Sequence, residues 1–472
     1  MNKTKIIATI GPASFSKEII RELYHAGMNV ARVNFSHSNH QDAKKIYQWV
    51  QELNKEEDRN VAILGDLQGP KLRIGEVKEG VIIKRGQTIT ISTEACIGDA
   101  SKVYISYPNF PKDVKIGDKV MLDDGKIILL VESTNKTNTV EAKVRQGGEL
   151  NSRKGVNLPN TKISQPCLTE KDLKDLDLAL KLGIEWIGLS FVRSVQDIID
   201  LQQIIKLKKS AAKIVAKIEK PEAIREIDAI IKQSDAVMVA RGDLGVEVPM
   251  ERVPNLQKKI TRKCIKYSTP VIIATQMMES MMNSLSPSRA DVNDVANAVH
   301  DRVDAVMLSG ETSVGNYPVP VVKTMNKVVK NVENYAHLEM ETFQPIDKKN
   351  GRFLSDTICF NACKIAEQVG AKAVITLTHS GYNAFKISSF RPPSKICIFT
   401  KNKKIMNTLS LLWGVRGYYY DDFESTDDTI LDSKKLILKK NVVQKGDFVV
   451  NIASIPITEK GMTNMLKLSK IE

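Results

Sequence analysis

Cysteine is scarce in this chain, and its spacing suggests no cluster. The 472 residues include Cys96, Cys167, Cys264, Cys359, Cys363 and Cys397, with no CxxC pair. Cys359 and Cys363 share one helical face, but no histidine lies nearby in sequence to complete a zinc site. All six read as small buried apolar residues. Aromatic residues are few, 6% of the chain, and they are not interleaved with the basic ones. The net charge is +14, yet lysines are spread along the whole length. That pattern favours a compositional bias or a polyanionic small substrate over a nucleic-acid partner. No apolar run approaches the ~18–20 residues that cross a bilayer. The short apolar stretch before Pro12 lacks a small-residue cleavage site. The expectation is a soluble cytoplasmic protein with no membrane and no nucleic-acid partner.

What is present is a recurring unit. Short apolar runs occur at 6–9, 30–34, 61–66, 186–191, 214–218, 236–240, 271–274 and 305–308. Such runs suit parallel strands buried on both faces. Helical patterns lie between them, near 17–27, 39–55, 169–183, 194–208, 221–233, 251–268 and 288–300, with Pro221 and Pro287 placed as helix-starting prolines. The fold class expected is α/β. Eight strands alternating with helices match a (β/α)8 TIM barrel, though an open doubly wound sheet uses the same units. One connection is far too long. Residues 71–163 alternate apolar and polar positions, with turns at Asp123-Asp124-Gly125 and Gly147-Gly148, and read as a small β-barrel lid inserted after strand three. The polar stretch 346–352 reads as a linker. The expected domains are therefore a catalytic barrel (1–70 and 164–345), the lid (71–163) and a C-terminal α/β domain (346–472). In that last domain strands are expected near 373–377, 395–399, 415–419 and 448–451, and the acidic run 421–428 reads as a solvated loop.

Barrel enzymes keep their chemistry at the C-terminal ends of the strands. Strand two ends in Arg32, Asn34, Phe35, Ser36 and His37, and strand three in Asp66. Strand five carries Lys217 and Glu219, strand six runs into Arg241-Gly242-Asp243-Leu244-Gly245, and strand seven ends at Thr275. Lys217 and Glu219 are two apart, so both side chains leave the strand on one face. The plain alternative is a buried ion pair, which gives little net stability. With Asp243 on the adjacent strand, the two carboxylates suit Mg²⁺, which protein holds through one or two carboxylates. The glycines of the Arg241–Gly245 motif allow backbone N–H groups to approach an anion. Arg32 and Arg73 add guanidinium forks that match phosphate. Together these groups point to metal-assisted phosphoryl transfer. His37 and His40 read more simply as caps or packing residues. Met277, Met278, Met281 and Met282 read as core filling.

Several long motifs then resemble the pyruvate kinase family. They are Thr9-Ile10-Gly11-Pro12-Ala13-Ser14, Gly27–His37, Lys154–Pro159, Ala216-Lys217-Ile218-Glu219, Met238–Glu247, Ala274-Thr275-Gln276-Met277 and Met307–Thr312, in family order. The resemblance implies transfer of the phosphoryl group of phosphoenolpyruvate to ADP, giving pyruvate and ATP, with Mg²⁺. It implies that Arg32 binds the phosphoryl group, that Lys217 neutralises it, and that Glu219 and Asp243 hold Mg²⁺. It implies that Gly242, Asp243 and Thr275 receive the substrate carboxylate. Asn34, Phe35, Ser36, His37, Arg73 and Lys154 would form the nucleotide site, and Asn34, Ser36 and Asp66 a K⁺ site. Where many members read Asp-Thr-Lys-Gly-Pro-Glu, this chain has Asp66-Leu67-Gln68-Gly69-Pro70-Lys71. The Lys71 ammonium would stand in for K⁺, so catalysis without K⁺ is expected; the alternative is that Lys71 merely pairs with Asp66. The resemblance also implies a homotetramer. Its allosteric loop would hold a phosphorylated effector at Thr378, Ser380 and Gly381, and the short segment 455–464 disfavours fructose-1,6-bisphosphate. Two rival readings remain at this point: a metal-dependent lyase acting on another pyruvate enolate, and a catalytically silent binding protein.

Overall fold

Runs of Val, Ile, Ala and Leu, flanked by helices on both sides in sequence, have no polar face to show to water. The only place for them is the middle of a structure covered all round. In a computed structural model of the chain, which describes residues 2–159, 161–335, 343, 351–422, 425–455 and 462–472, eight such runs form one closed parallel barrel. Its strands are Lys5–Ile10, Val30–Asn34, Ala62–Asp66, Trp186–Leu189, Lys213–Ile218, Ala236–Ala240, Val271–Ala274 and Ala305–Leu308. Strand eight pairs back onto strand one, with Lys5 opposite Ala305, and this closure rules out the open sheet.

The helices follow the sequence signals, with local differences. Thr169 caps Glu170–Leu182 through a reciprocal bond with Asp172, and Gly183 ends that helix in the left-handed region. Pro221 opens its helix as expected, but Pro287 does not. Ser288 is the cap of Arg289–His300, so Pro287 lies just outside. The expected helix 221–233 is broken at Glu226, whose carboxylate instead accepts the Val195 N–H at 3.2 Å. Strand four is shorter than expected. It stops at Leu189 because Phe191 takes φ +56°, which no strand continues.

The inserted segment has its own core, including Ile89, Val103, Phe110, Val120, Leu129 and Val140. Six strands form one sheet, in the order Val156–Asn157, Lys119–Leu122, Ile127–Thr134, Thr139–Gln146, Thr88–Ser92, Lys102–Tyr104. Bridges from Arg73 to Gly155 and from Ile74 to Ile105 join its two edges, which closes it as a small barrel. Asp123, Asp124 and Gly125 turn the Lys119–Leu122/Ile127–Thr134 hairpin with three successive positive φ angles.

The C-terminal domain is a five-stranded sheet. Strands near 373–377, 395–399, 415–419 and 448–451 were expected, the last running on to Ala453; an antiparallel edge strand, Met465–Lys470, was not. The acidic run is only partly a loop, since Ser425 caps a helix that begins at Thr426. Of the linker reading 346–352, only Gly351 and Arg352 are among the described residues, and most of the segment 455–464 also lies outside them. The domain docks at the N-terminal end of the barrel. Arg391, almost fully buried, pairs with Asp304 at 2.6 Å, and the Trp413 N–H donates to the same carboxylate. The Lys5 ammonium donates to the Val415 carbonyl at 2.9 Å. This docking leaves the opposite, C-terminal mouth of the barrel to the inserted segment.

Candidate active site

Parallel strands in a barrel all deliver their last residues to one end, so residues far apart in sequence meet there. Asn34 and Asp66 end paired strands in register, and Arg32 and Leu64 pair two residues earlier. Arg32 is buried and donates from Nε to Asp66 Oδ2 at 2.8 Å and from Nη1 to Thr9 Oγ1 at 2.9 Å. Lys217 Nζ lies 3.1 Å from Asp66 Oδ1 and 3.0 Å from Glu219 Oε1, and it donates to Ser190 Oγ at 2.6 Å. Asp66 is thus shared by two cations. Burial pushes its carboxyl up, but Lys217 and Arg32 outweigh burial and hold it below the usual range. Burial likewise works against the Lys217 ammonium, and Asp66 and Glu219 more than restore it, raising its pKa. Lysine is therefore charged at any physiological pH. Glu219 is pushed toward its neutral form. Its burial raises its pKa, Lys217 opposes this, and repulsion from Asp243 adds to it.

The Arg241–Gly245 motif, whose glycines were expected to let backbone N–H groups approach an anion, takes helical form. Arg241–Glu247 is a short helix that starts directly after strand six. The Gly242 N–H donates to Thr275 Oγ1 at 2.8 Å, so the two groups expected to receive a carboxylate touch each other. Thr275 and Gln276 both have positive φ, and Arg241 donates to the Thr275 carbonyl at 2.7 Å while pairing with Asp294.

The nucleotide residues are brought together less completely. His37 keeps much of its surface in solvent; its partial burial, and then the fields of Lys71 and Arg73, lower its pKa, so these cations lie around it. The Phe35 ring is buried in the barrel core and cannot line a ligand site; only its backbone can, and its carbonyl accepts Lys171 Nζ at 2.6 Å. Asn34 Oδ1 accepts the Ser36 N–H at 3.1 Å. Arg73 donates to the Arg153 carbonyl, and Lys154 pairs with Asp123 at 3.1 Å; both belong to the lid. Lys71 is exposed in a narrow cleft between barrel and lid, lined also by Asp124, Asn157, Lys220 and Asp243. It does not pair with Asp66, whose partners are Arg32 and Lys217. Thr378 Oγ1 accepts the Gly381 N–H at 2.9 Å, and Ser380 Oγ the Tyr382 N–H at 3.4 Å, in the C-terminal domain, away from the mouth.

Sequence reasoning missed Ser190, although it follows strand four and the strand-end rule points to it. It also missed Lys220 and Glu247, a buried pair at 2.6 Å whose carboxylate also accepts from Asn157 of the lid connection at 2.9 Å. A cavity of about 670 Å³ lies at the other end of the barrel, against the C-terminal domain, and is lined by Lys5, Asn29, Arg59 and Arg416 among others. The convergence of two cations and two carboxylates is at the mouth instead.

A closed (β/α)8 barrel with this mouth belongs to the class of barrel phosphotransferases. Models of the pyruvate kinase barrel domain and of the pyruvate kinase alpha/beta domain match residues 1–322 and 356–469. A pyruvate kinase of Corynebacterium efficiens is 41% identical over 465 residues, covering 98% of this chain and 97% of that protein. One from Clostridium acetobutylicum is 40% identical, covering 100% of both. A crystal structure of a pyruvate kinase from Cryptosporidium parvum superposes with a TM-score of 0.93 at 34% identity, covering 100% of this chain and 96% of that one. The chain belongs to the pyruvate kinase family. Its activity is the phosphotransfer of that family, from phosphoenolpyruvate to ADP in glycolysis, and nothing favours the lyase or the silent binding protein. Among the described residues no helix is long and apolar enough to cross a membrane.

Proposed function

We propose that the group around Asp66 carries the phosphoryl transfer. The observation behind this is that Arg32 and Lys217, both buried, converge on one carboxylate at the barrel mouth. Two fixed cations in a low-dielectric site stabilise charge on a transferring phosphoryl group far better than they would in water. Arg32 orients the phosphoryl oxygens, and Lys217 neutralises charge as the bond to the enolate oxygen breaks. Asp66 keeps both in place without being consumed. The Gly242 and Asp243 backbone and the Thr275 hydroxyl bind the substrate carboxylate, which takes over the Gly242 N–H now donated to Thr275 Oγ1 and the Thr275 proton now donated to the Ala274 carbonyl. The rim of Asn34, Ser36, His37, Arg73 and Lys154, with the Phe35 backbone, takes the nucleotide.

The residues fit a divalent cation. Glu219 is a buried carboxylate destabilised by burial and by Asp243, so a cation between the two relieves both. Mg²⁺ is held by protein through one or two carboxylates and keeps positions for water and substrate oxygens. When bound, Mg²⁺ neutralises phosphoryl charge alongside Lys217. For K⁺, our reading is that Lys71 supplies a fixed positive charge and makes the monovalent cation dispensable.

The wider assignments rest on family resemblance. Residues 71–163 act as the lid over the barrel formed by 1–70 and 164–345, and 346–472 form a regulatory domain with a phosphorylated effector at Thr378, Ser380 and Gly381. The assembly is a cytoplasmic homotetramer. The test is pyruvate formation from phosphoenolpyruvate and ADP by the Arg32→Gln and Lys217→Gln variants. Each should lose about 100- to 1,000-fold in kcat. Wild-type turnover in both would defeat the assignment.

A further inference from the structure

We infer that Ser190, in the turn after barrel strand four, is a positioning residue that aims the Lys217 ammonium for phosphoryl transfer. This rests on the reading of Lys217 given above.

An ammonium has three protons to place. Lys217 Nζ has three acceptors around it: Asp66 Oδ1 at 3.1 Å, Glu219 Oε1 at 3.0 Å and Ser190 Oγ at 2.6 Å. Two are carboxylates, which supply attraction from a broad range of directions. The third is neutral and the closest. Its direction is fixed, because the Ser190 hydroxyl donates its own proton to the Leu67 carbonyl at 2.7 Å. The oxygen lone pairs are then left for Lys217. Only Ser190 is in hydrogen-bonding geometry; Asp66 and Glu219 hold the ammonium by ion pairing, so the serine fixes one proton and leaves the others for a substrate oxygen.

The turn itself is built to hold this geometry. The next residue, Phe191, has φ +56°, a region that aromatic residues avoid. That conformation aims its N–H at Glu219 Oε2, at 2.7 Å. Two neighbouring residues of one turn therefore address both working side chains of strand five. Gly69 packs directly on them. A Cβ there would meet the Phe191 ring at 2.8 Å and Ser190 Cβ at 3.0 Å. From the other side, Cys167 Sγ donates to the Ser190 carbonyl at 3.1 Å. Strain of this kind persists only where the surroundings over-determine it, and it gathers at functional sites.

The alternative is that Ser190 merely satisfies the Leu67 carbonyl. Steady-state kinetics of the full chain separate the two. Ser190→Ala should lower kcat about 10- to 100-fold, the scale of a displacement near 1 Å, with KM for phosphoenolpyruvate within about threefold. Ser190→Cys nearly preserves volume but is a poor acceptor, and it should show a similar loss. Ser190→Thr keeps the hydroxyl and should restore most of kcat. In a Lys217→Gln background, Ser190→Ala should add less than about twofold, because coupled residues are not additive. Wild-type kcat in Ser190→Cys would overturn the inference, and so would full additivity with Lys217→Gln. If Lys217→Gln itself turns over at the wild-type rate, the role of Lys217 falls instead, and the inference with it.

Discussion

Replacing Lys5 with Met tests how the barrel is joined to the C-terminal domain. Lys5 opens strand one, is almost wholly buried, and donates to Val415 of the other domain. Burial holds its pKa down at about 8; Glu333 and Asp304 work against burial, and Arg416 works with it. In the unfolded chain a lysine titrates near 10.4. Between these values the unfolded chain keeps a proton that the folded chain has lost, so stability rises with pH through that window. Below about pH 8 both states are charged and the full burial penalty applies. Integrated from pH 7 to pH 10, the gain is about 2.5 kcal/mol. Lys5→Met removes the titration. At pH 7 the variant escapes a penalty of about 3 kcal/mol and gives up a charged hydrogen bond worth about 1.5–3 kcal/mol, so it should be as stable as the wild type or slightly more so. At pH 10 the wild type should lead, having gained about 2–3 kcal/mol on the variant. Denaturant unfolding of both proteins at both pH values, followed by fluorescence of the buried Trp186 and Trp413, reads this directly. Other titrating groups cancel in the difference. A gap between the two proteins that is the same at pH 7 and pH 10, within about 0.5 kcal/mol, would refute the reasoning.

Asp66→Asn should destabilise the protein by about 3–5 kcal/mol, because an amide places an NH₂ against either Arg32 or Lys217; an unchanged unfolding midpoint would count against the shared-carboxylate picture. Glu219→Gln should weaken Mg²⁺ activation by more than the roughly 10- to 100-fold typical of outer-shell changes. Titrating Mg²⁺ in the pyruvate assay measures this, and an unshifted midpoint would remove Glu219 from the metal site. In assays balanced with tetramethylammonium and free of sodium, the wild type should turn over without K⁺, and Lys71→Glu should acquire a K⁺ requirement. An absolute K⁺ requirement in the wild type would reject the lysine reading.

The strand runs made the fold legible from sequence, because a strand buried on both faces has to be apolar throughout. The expected 236–240, 271–274 and 305–308 match the observed strands residue for residue. Closure was not legible, since the same units build an open sheet; the pairing of Lys5 with Ala305 decided it. The boundaries missed were those set by tertiary contacts. Strand four ends early because Phe191 turns toward Glu219, and the helix at 221–233 breaks where Glu226 reaches Val195. The edge strand Met465–Lys470 shows only weak alternation, because much of it faces solvent.

For the site, sequence determined the chemistry. Lys217 and Glu219, two apart at the end of strand five, share a face, which follows from strand geometry alone. Asp243 follows the next strand in sequence, but it sits on the short helix Arg241–Glu247, so its place beside Glu219 was set by the tertiary structure. Sequence could not decide who holds whom. Arg32, Asp66 and Lys217 come from three strands and Ser190 from the turn after a fourth, and only closing the barrel places Asp66 between two cations and Ser190 beside the ammonium. The same closure turned the Phe35 side chain inward and took it out of the nucleotide site. Residue types are local and can be read along the chain; distances between them are set by the packing of the whole barrel.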